Sequence, residues 1–158
     1  FNSNFKNLDG GCKSTFLCFE VEREDGSVLY QNGVFRNQHA ELCFIEWFHE
    51  KVLCPDAQYH VTWYISWSPC FECAEQVADF LNENENVDLS ISAARLYLCE
   101  DEDEQGLQDL VATGAKVAMM APEDFKYCWD NFVYNGWQFT YWKNVRRNYG
   151  RLQEKLDE

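Results

Sequence analysis

The sequence is poor in positive charge: 13 Lys and Arg residues stand against 27 Asp and Glu residues, which gives a formal net charge of −14 at pH 7. Proteins that bind phosphate backbones broadly do so with clustered Lys and Arg side chains. The composition therefore argues against a general polyanion-binding protein. Any contact with a nucleic acid has to be local and to depend on aromatic stacking and a few basic residues.

The sequence also lacks a long apolar run and a secretory signal. Nothing in it approaches the roughly 18 consecutive apolar residues that predict a membrane-spanning helix, so we expect no membrane partner. With 158 residues, of which 46% are hydrophobic, the chain can form one domain with a substantial core. We expect that domain to cover residues 1–158. Because the chain begins at Phe1 rather than Met, we interpret it as an excised domain.

The eight cysteines do not predict a secreted disulfide framework, which is typical of shorter chains with less core. Two of them, Cys70 and Cys73, are three positions apart and suit a metal site. The others lie mostly in apolar stretches, and we interpret them as reduced thiols. This interpretation predicts a cytoplasmic protein, with the nucleus as the alternative location.

Strand patterns and helix patterns alternate along the chain after an opening hairpin. The hairpin is predicted by Asp25-Gly26, which lies between strand patterns at 15–22 and 28–35. Apolar and β-branched runs predict three more strands, at 59–67, 89–98 and 115–120. Helical spacing predicts helices at 1–6, 39–52, 122–133 and 143–156, one beginning at Cys70 and one after the acidic run 100–104. This order predicts an α/β fold: a five-stranded mixed sheet, with the hairpin followed by parallel strands and about six flanking helices.

Four residues have the chemistry of a zinc hydrolase centre. A catalytic zinc ion takes three protein ligands and keeps one position open for water, and His39, Cys70 and Cys73 supply such a set. Glu41, two residues after the histidine, remains available to carry protons. Pro69 precedes Cys70 and suits a helix N-terminus, where the backbone dipoles stabilise a thiolate.

Each of these residues also has an ordinary interpretation. A single histidine at a helix start is commonly a solvated or capping residue, and a glutamate there is commonly exposed. Two cysteines three positions apart are often small buried apolar residues. The combination favours the metal site, because His-x-Glu followed by Pro-Cys-x-x-Cys is similar to the signature of zinc nucleobase deaminases.

The sequence resembles the AID/APOBEC family of polynucleotide cytidine deaminases, and most of all its antiviral mammalian branch, from Phe5 to Leu156. Four segments carry the resemblance: His39-Ala40-Glu41, Ser66 to Cys73, Ala94-Arg95-Leu96-Tyr97, and Phe125 to Val133. The resemblance implies a five-stranded sheet with six helices, one Zn²⁺, and conversion of cytosine to uracil in single-stranded DNA, with antiviral restriction of retroviruses and retroelements. It also implies RNA and a Vif-like viral antagonist protein as further partners.

The resemblance also implies roles for individual residues. His39, Cys70 and Cys73 match the zinc ligands, and Glu41 matches the catalytic proton shuttle. Five more residues match the family's substrate-binding positions: Asn37 at the nucleotide sugar, Thr15 beside the base pocket, Trp67 and Ser68 on the pocket floor, and Tyr97 against the flipped cytosine. For Trp67 and Tyr97 the alternative is a place in the hydrophobic core, and for Asn37 a place in a turn.

One departure from the family pattern leaves competing functions open. After Tyr97, where relatives carry base-stacking aromatics, this chain has Leu98-Cys99 and then five consecutive acidic residues, which would repel phosphate. The preferred interpretation is an active single-stranded DNA deaminase, since Glu41 is present. The first alternative is a weak or inactive deaminase-like domain that binds RNA or a viral protein. The second is a free-nucleoside deaminase, against which the additional C-terminal helices argue.

Overall fold

The structure, a computed structural model, describes residues 5, 15–37, 39–97, 101–132, 141–142 and 144–157, although the side chains of 31–33, 36, 37 and 101 are outside the description. The elements follow in the order β1 (Thr15–Arg23), β2 (Val28–Asn37), α1 (Ala40–Lys51), β3 (Tyr59–Ile65), α2 (Phe71–Glu83), β4 (Val87–Ala93), α3 (Asp101–Ala112), β5 (Lys116–Met119), α4 (Pro122–Phe132) and α5 (Val145–Asp157).

The strands form one five-stranded sheet in the order β2-β1-β3-β4-β5. β1 pairs antiparallel with both β2 and β3, whereas β3, β4 and β5 are parallel. The predicted mixed sheet with an opening hairpin is therefore confirmed. Five helices lie within the described ranges. The predicted helix at 1–6 lies outside them except for Phe5, which is buried.

Alternating side chains of β1 separate two apolar clusters, one on each face of the sheet. Leu17, Phe19 and Val21 belong to the larger cluster, together with the apolar residues of α1 and α2. Cys18 belongs to the smaller cluster, which includes Phe125 of α4. The smaller cluster's face also carries a partly buried hydrogen bond, which the Tyr127 hydroxyl donates to the Glu20 carboxylate. Helices therefore cover both faces, as the alternating pattern predicted.

The predicted strand 89–98 was wrong at both ends, because β4 runs from Val87 to Ala93. The Ala94 N–H donates to Ile65 O on one neighbouring strand, and Ala93 O accepts the N–H of Met120 on the other. The chain then bends out of the sheet at Ala94 and Arg95. The sequence Ala-Arg-Leu-Tyr does not reveal this bend, because the contacts of Arg95 are with Ser66 and Trp67, which are distant in the chain.

The cysteines and the lengths of the helices can also be compared with the sequence predictions. The described cysteines, namely 18, 43, 54, 70, 73 and 128, are all free thiols, in agreement with the reduced interpretation. Among the described residues, every helix is too short or too polar to cross a membrane.

Candidate metal and base site

The histidine and the glutamate of the predicted site lie at the start of α1. β2 ends at Asn37, and His39 is the residue immediately before the first helical residue, Ala40. Glu41 is in the first turn and only 3% exposed. The apolar face of α1 packs on β1 and β2, so Glu41 is directed inward with it. The ordinary interpretation of Glu41 as an exposed helix residue is therefore wrong.

The two cysteines lie at the start of α2, which follows β3. Cys70 is the N-cap residue, with extended backbone angles of φ −70° and ψ 170°. Cys73 is in the first helical turn and 1% exposed. β3 is the central strand and runs parallel to β4, so this site lies at the carboxyl end of a parallel strand, where α/β sheets place their ligands.

The donor atoms of His39, Cys70 and Cys73 all lie within 4.8 Å of one another. His39 Nδ1 is 3.0 Å from Cys73 Sγ. One imidazole nitrogen and two sulfurs at these separations can bind one metal ion and leave a fourth coordination position for water. Within the described ranges this is the group of His, Cys and acidic residues that has metal-binding geometry.

Burial controls the protonation chemistry of this centre. It raises the pKa of the Glu41 carboxyl to about 7, although hydrogen bonds from Cys73 and from the backbone oppose the shift. Burial, followed by the charge of Glu41, also raises the pKa of the Cys73 thiol. A divalent cation among the donors would reverse the thiol shift, because it favours thiolate. The buried carboxyl of Glu41, close to the donor set, is placed to accept and release a proton.

Three of the predicted base-pocket residues, Trp67, Ser68 and Tyr97, contact one another where the chain leads from β3 to Cys70. Ser68 is 3% exposed, and its Oγ accepts the Tyr97 N–H at 2.7 Å. The rings of Trp67 and Tyr97 contact edge to face, with centroids 6.2 Å apart, and both side chains are half-buried rather than part of the core. A partly exposed pair of aromatic rings can line a base pocket.

Thr15 and Asn37, the other two predicted pocket residues, are directly opposite each other in the β1–β2 register. Thr15 is 6% exposed, and Asn37 is the last residue of β2, so it does not lie in a turn. The side chain of Asn37 lies outside the described part of the structure. The substrate-contacting roles of all five pocket residues remain predictions.

Sequence reasoning assigned no role to Arg95, which the structure places against Ser66 and Trp67. Arg95 is 2% exposed, and its Nε donates to Ser66 O at 3.1 Å. Its guanidinium lies over the Trp67 ring, 4.0 Å from the centroid. The available signal was its place in the segment Ala94 to Tyr97, which carried the family resemblance.

A His–Cys–Cys donor set beside a buried glutamate, at the edge of a mixed α/β sheet, is the kind of centre that metal-dependent hydrolases use. All 158 residues match the family model described as "APOBEC3, cytosine deaminase domain". The chain therefore belongs to the APOBEC3 cytosine deaminase domain family, as the resemblance indicated.

Individual relatives are similar over the full chain. The protein named DNA dC->dU-editing enzyme APOBEC-3 from Mus musculus is 47% identical over 170 positions, covering 100% of this chain and 39% of the mouse protein. The APOBEC3 enzyme of Rattus norvegicus is also 47% identical, with 40% of its length covered. APOBEC-3Ca of Felis catus is 42% identical, with 88% of its length covered. The chain thus spans about two fifths of the rodent relatives and most of the cat relative.

Proposed function

We propose that this domain catalyses zinc-dependent hydrolytic deamination of cytosine to uracil in single-stranded DNA. The observation that carries the proposal is the convergence of His39, Cys70 and Cys73, whose donor atoms lie within 4.8 Å of one another, next to the buried Glu41. The names of the mouse, rat and cat relatives, which describe editing of dC to dU in DNA, support the choice of substrate.

The residues divide the chemistry between them. Zinc bound by His39, Cys70 and Cys73 would supply the Lewis acidity that makes water a nucleophile near neutral pH. Glu41 accepts a proton from the attacking water and delivers protons to the ring nitrogen N3 and to the leaving amine. A C–O bond forms at C4, the C4–N bond breaks, and ammonia leaves, so that cytosine and water give uracil and ammonia.

The base has to leave its stack to reach Glu41, and the aromatic pair Trp67 and Tyr97 is suited to receive it. Stacking on aromatic side chains needs no positive charge, so it can contribute locally to single-strand binding in a protein with a net charge of −14. We assign Ser68 to the pocket floor, Thr15 to its flank and Asn37 to the sugar. Stacking of this kind requires unpaired bases, which favours single-stranded over duplex DNA.

The test is uracil formation in a labelled single-stranded DNA that contains one cytosine, at low salt, with the Glu41→Gln variant as the matched control. Glu41→Gln keeps the shape of the side chain and removes its proton transfer, so we expect the rate to fall by about 10²–10⁴-fold with metal content unchanged. Free cytidine, assayed in parallel, separates a polynucleotide deaminase from a nucleoside deaminase. Zinc-loaded wild-type protein that makes no uracil at high enzyme concentration would overturn the proposal.

A binding function is the second candidate, and a surface groove favours it. A cavity of about 410 Å³ between α3 and α5 is lined by Leu107, Val111 and Leu156, with Glu104, Asp157 and Lys155 among its charged residues. An apolar groove on so acidic a protein suits a basic viral antagonist protein. If the deamination assay fails, pull-downs with such a protein and with RNA are the next measurement.

The proposal for the biological setting is supported only by the family to which the chain belongs. We propose restriction of retroviruses and retroelements as the role, with RNA as an additional ligand and the cytoplasm as the location, the nucleus being the alternative. Localisation of the tagged full-length protein in infected cells tests this setting separately from the chemistry.

A further inference from the structure

The acidic run after Tyr97 is not a uniformly solvated surface. Glu102 and Glu104 in the first turn of α3 are exposed, but Asp103 between them is 2% exposed. Its Oδ1 accepts the backbone N–H of Phe71 at 2.8 Å. The Asp103 carboxylate thus reaches across to another helix.

That helix is α2, and the bonded amide belongs to its first residue. The first amides of an α-helix have no intrahelical partner, and Cys70 at the N-cap forms no side-chain hydrogen bond to them. Asp103 therefore does for α2 what an N-cap side chain normally does, but from a separate helix. Its position at the positive end of the α2 dipole is also electrostatically favourable.

A second contact, one turn further along α3, holds the same part of α2. A Cβ atom added at Gly106 would lie 3.2 Å from Phe71 Cα and 3.2 Å from Ala74 Cβ. Such distances are shorter than the roughly 3.5–4.0 Å optimum for carbon contacts. The absence of a side chain at Gly106 therefore allows α3 to approach the backbone of the α2 first turn.

We propose that Asp103 and Gly106 form a positioning clamp that holds the first turn of α2 and thereby directs Cys70 and Cys73 toward His39. Phe71, the residue that both contact, lies between the two cysteines in sequence. Because the clamp acts through the backbone of Phe71, its members are positioning residues. The inference rests on the proposed function to the extent that the donor set binds a metal.

Cobalt(II) titration tests the clamp without any catalytic assay. Co²⁺ bound by thiolates has absorption bands that report its ligands and geometry, and competition with a chelator gives its affinity. For Asp103→Ala we expect about tenfold weaker binding, as is typical when an outer-shell hydrogen bond is lost, and altered bands. Asp103→Asn keeps an acceptor oxygen in place and should recover most of the affinity. Gly106→Ala should weaken binding in the same direction.

Asp109→Ala is the matched control on the same helix, because Asp109 is exposed and accepts a hydrogen bond from Gln105. It removes the same charge without touching α2, so its Co²⁺ affinity should equal that of the wild type. Equal losses in Asp109→Ala and Asp103→Ala would overturn the clamp in favour of a general charge effect. If Asp103→Ala does not fold, Asp103→Glu, which moves the carboxylate by one methylene, should still weaken binding.

The outcomes separate this inference from the proposed function. Wild-type protein that binds Co²⁺ with thiolate bands, alongside Asp103→Ala, Asp103→Glu and Gly106→Ala variants with identical affinity and spectrum, would overturn the clamp alone. Wild-type protein that binds no Co²⁺ would overturn the metal site and the clamp together. The clamp is supported if Asp103→Ala and Gly106→Ala fold like the wild type but bind Co²⁺ more weakly, and if Asp103→Asn recovers the affinity. This result would support the clamp whether or not deamination is observed.

Discussion

The two halves of the donor set are held in place by different forces. The histidine half, His39 and Glu41, begins a helix whose Phe44 ring lies among five aromatic rings at centroid distances of 5.0–6.4 Å, those of Phe19, Phe35, Trp47, Phe48 and Trp63. The cysteine half, Cys70 and Cys73, begins a helix whose first turn is held by a buried carboxylate and a glycine contact. Both helices pack into the larger apolar cluster, but the first turn of α2 is held in addition by a directional hydrogen bond and a close backbone contact.

The largest effect on stability should come from the histidine half. Phe44→Ala removes a side chain that is 1% exposed and should lower the free energy of unfolding by about 3–5 kcal/mol, the transfer and cavity cost of such a truncation. Chemical denaturation measures it. Val111→Ala, at a position that is 51% exposed, is the control and should change little. A Phe44→Ala loss below about 1 kcal/mol would mean that the aromatic cluster does not support α1.

An intermediate loss of stability is expected for a substitution of Arg95, whose polar contacts hold the segment that precedes Cys70. Arg95→Lys cannot reproduce both the Nε hydrogen bond to Ser66 O and the stacking on Trp67. Leaving a buried carbonyl unpaired costs about 1–3 kcal/mol, and the fluorescence of Trp67 should change. Arg151→Lys, at an exposed position, is the matched control. If the two substitutions have equal effects, the segment leading to the cysteine half does not depend on Arg95.

The difference between apolar packing and single polar contacts also explains which features could be predicted from the sequence. Periodic apolar residues predicted α1 and its inward face, and the spacing of His39, Glu41, Cys70 and Cys73 predicted a donor set that the fold brings together. The alternation of patterns also predicted the opening hairpin and the parallel strands that follow it. The apolar pattern repeats along the chain, and the donor set is marked by two short segments, His39 to Glu41 and Pro69 to Cys73. Local sequence therefore carries both features.

Single long-range polar contacts leave no such pattern. Asp103 looked like one acid among five, yet it is buried and bonded to a residue 32 positions earlier. Arg95 looked like part of a strand, yet the chain bends there so that its side chain reaches Ser66 and Trp67. Both residues act on partners that are distant in sequence, and neither composition nor periodicity depends on those partners.

The smallest changes in stability are predicted for substitutions of two glycines in helices, and the two changes should have opposite signs. At Gly150 in α5 an added Cβ meets no atom within 4 Å, so Gly150→Ala should gain the roughly 0.5–1 kcal/mol by which Ala exceeds Gly in a helix. Gly106→Ala gains the same propensity but forces α3 away from the Phe71 backbone, so its net effect should be a loss. Thermal unfolding of the two variants measures both. If both substitutions stabilise the protein equally, α3 can withdraw from the first turn of α2 at no cost, and close approach of the two helices is not what holds the cysteine half in place.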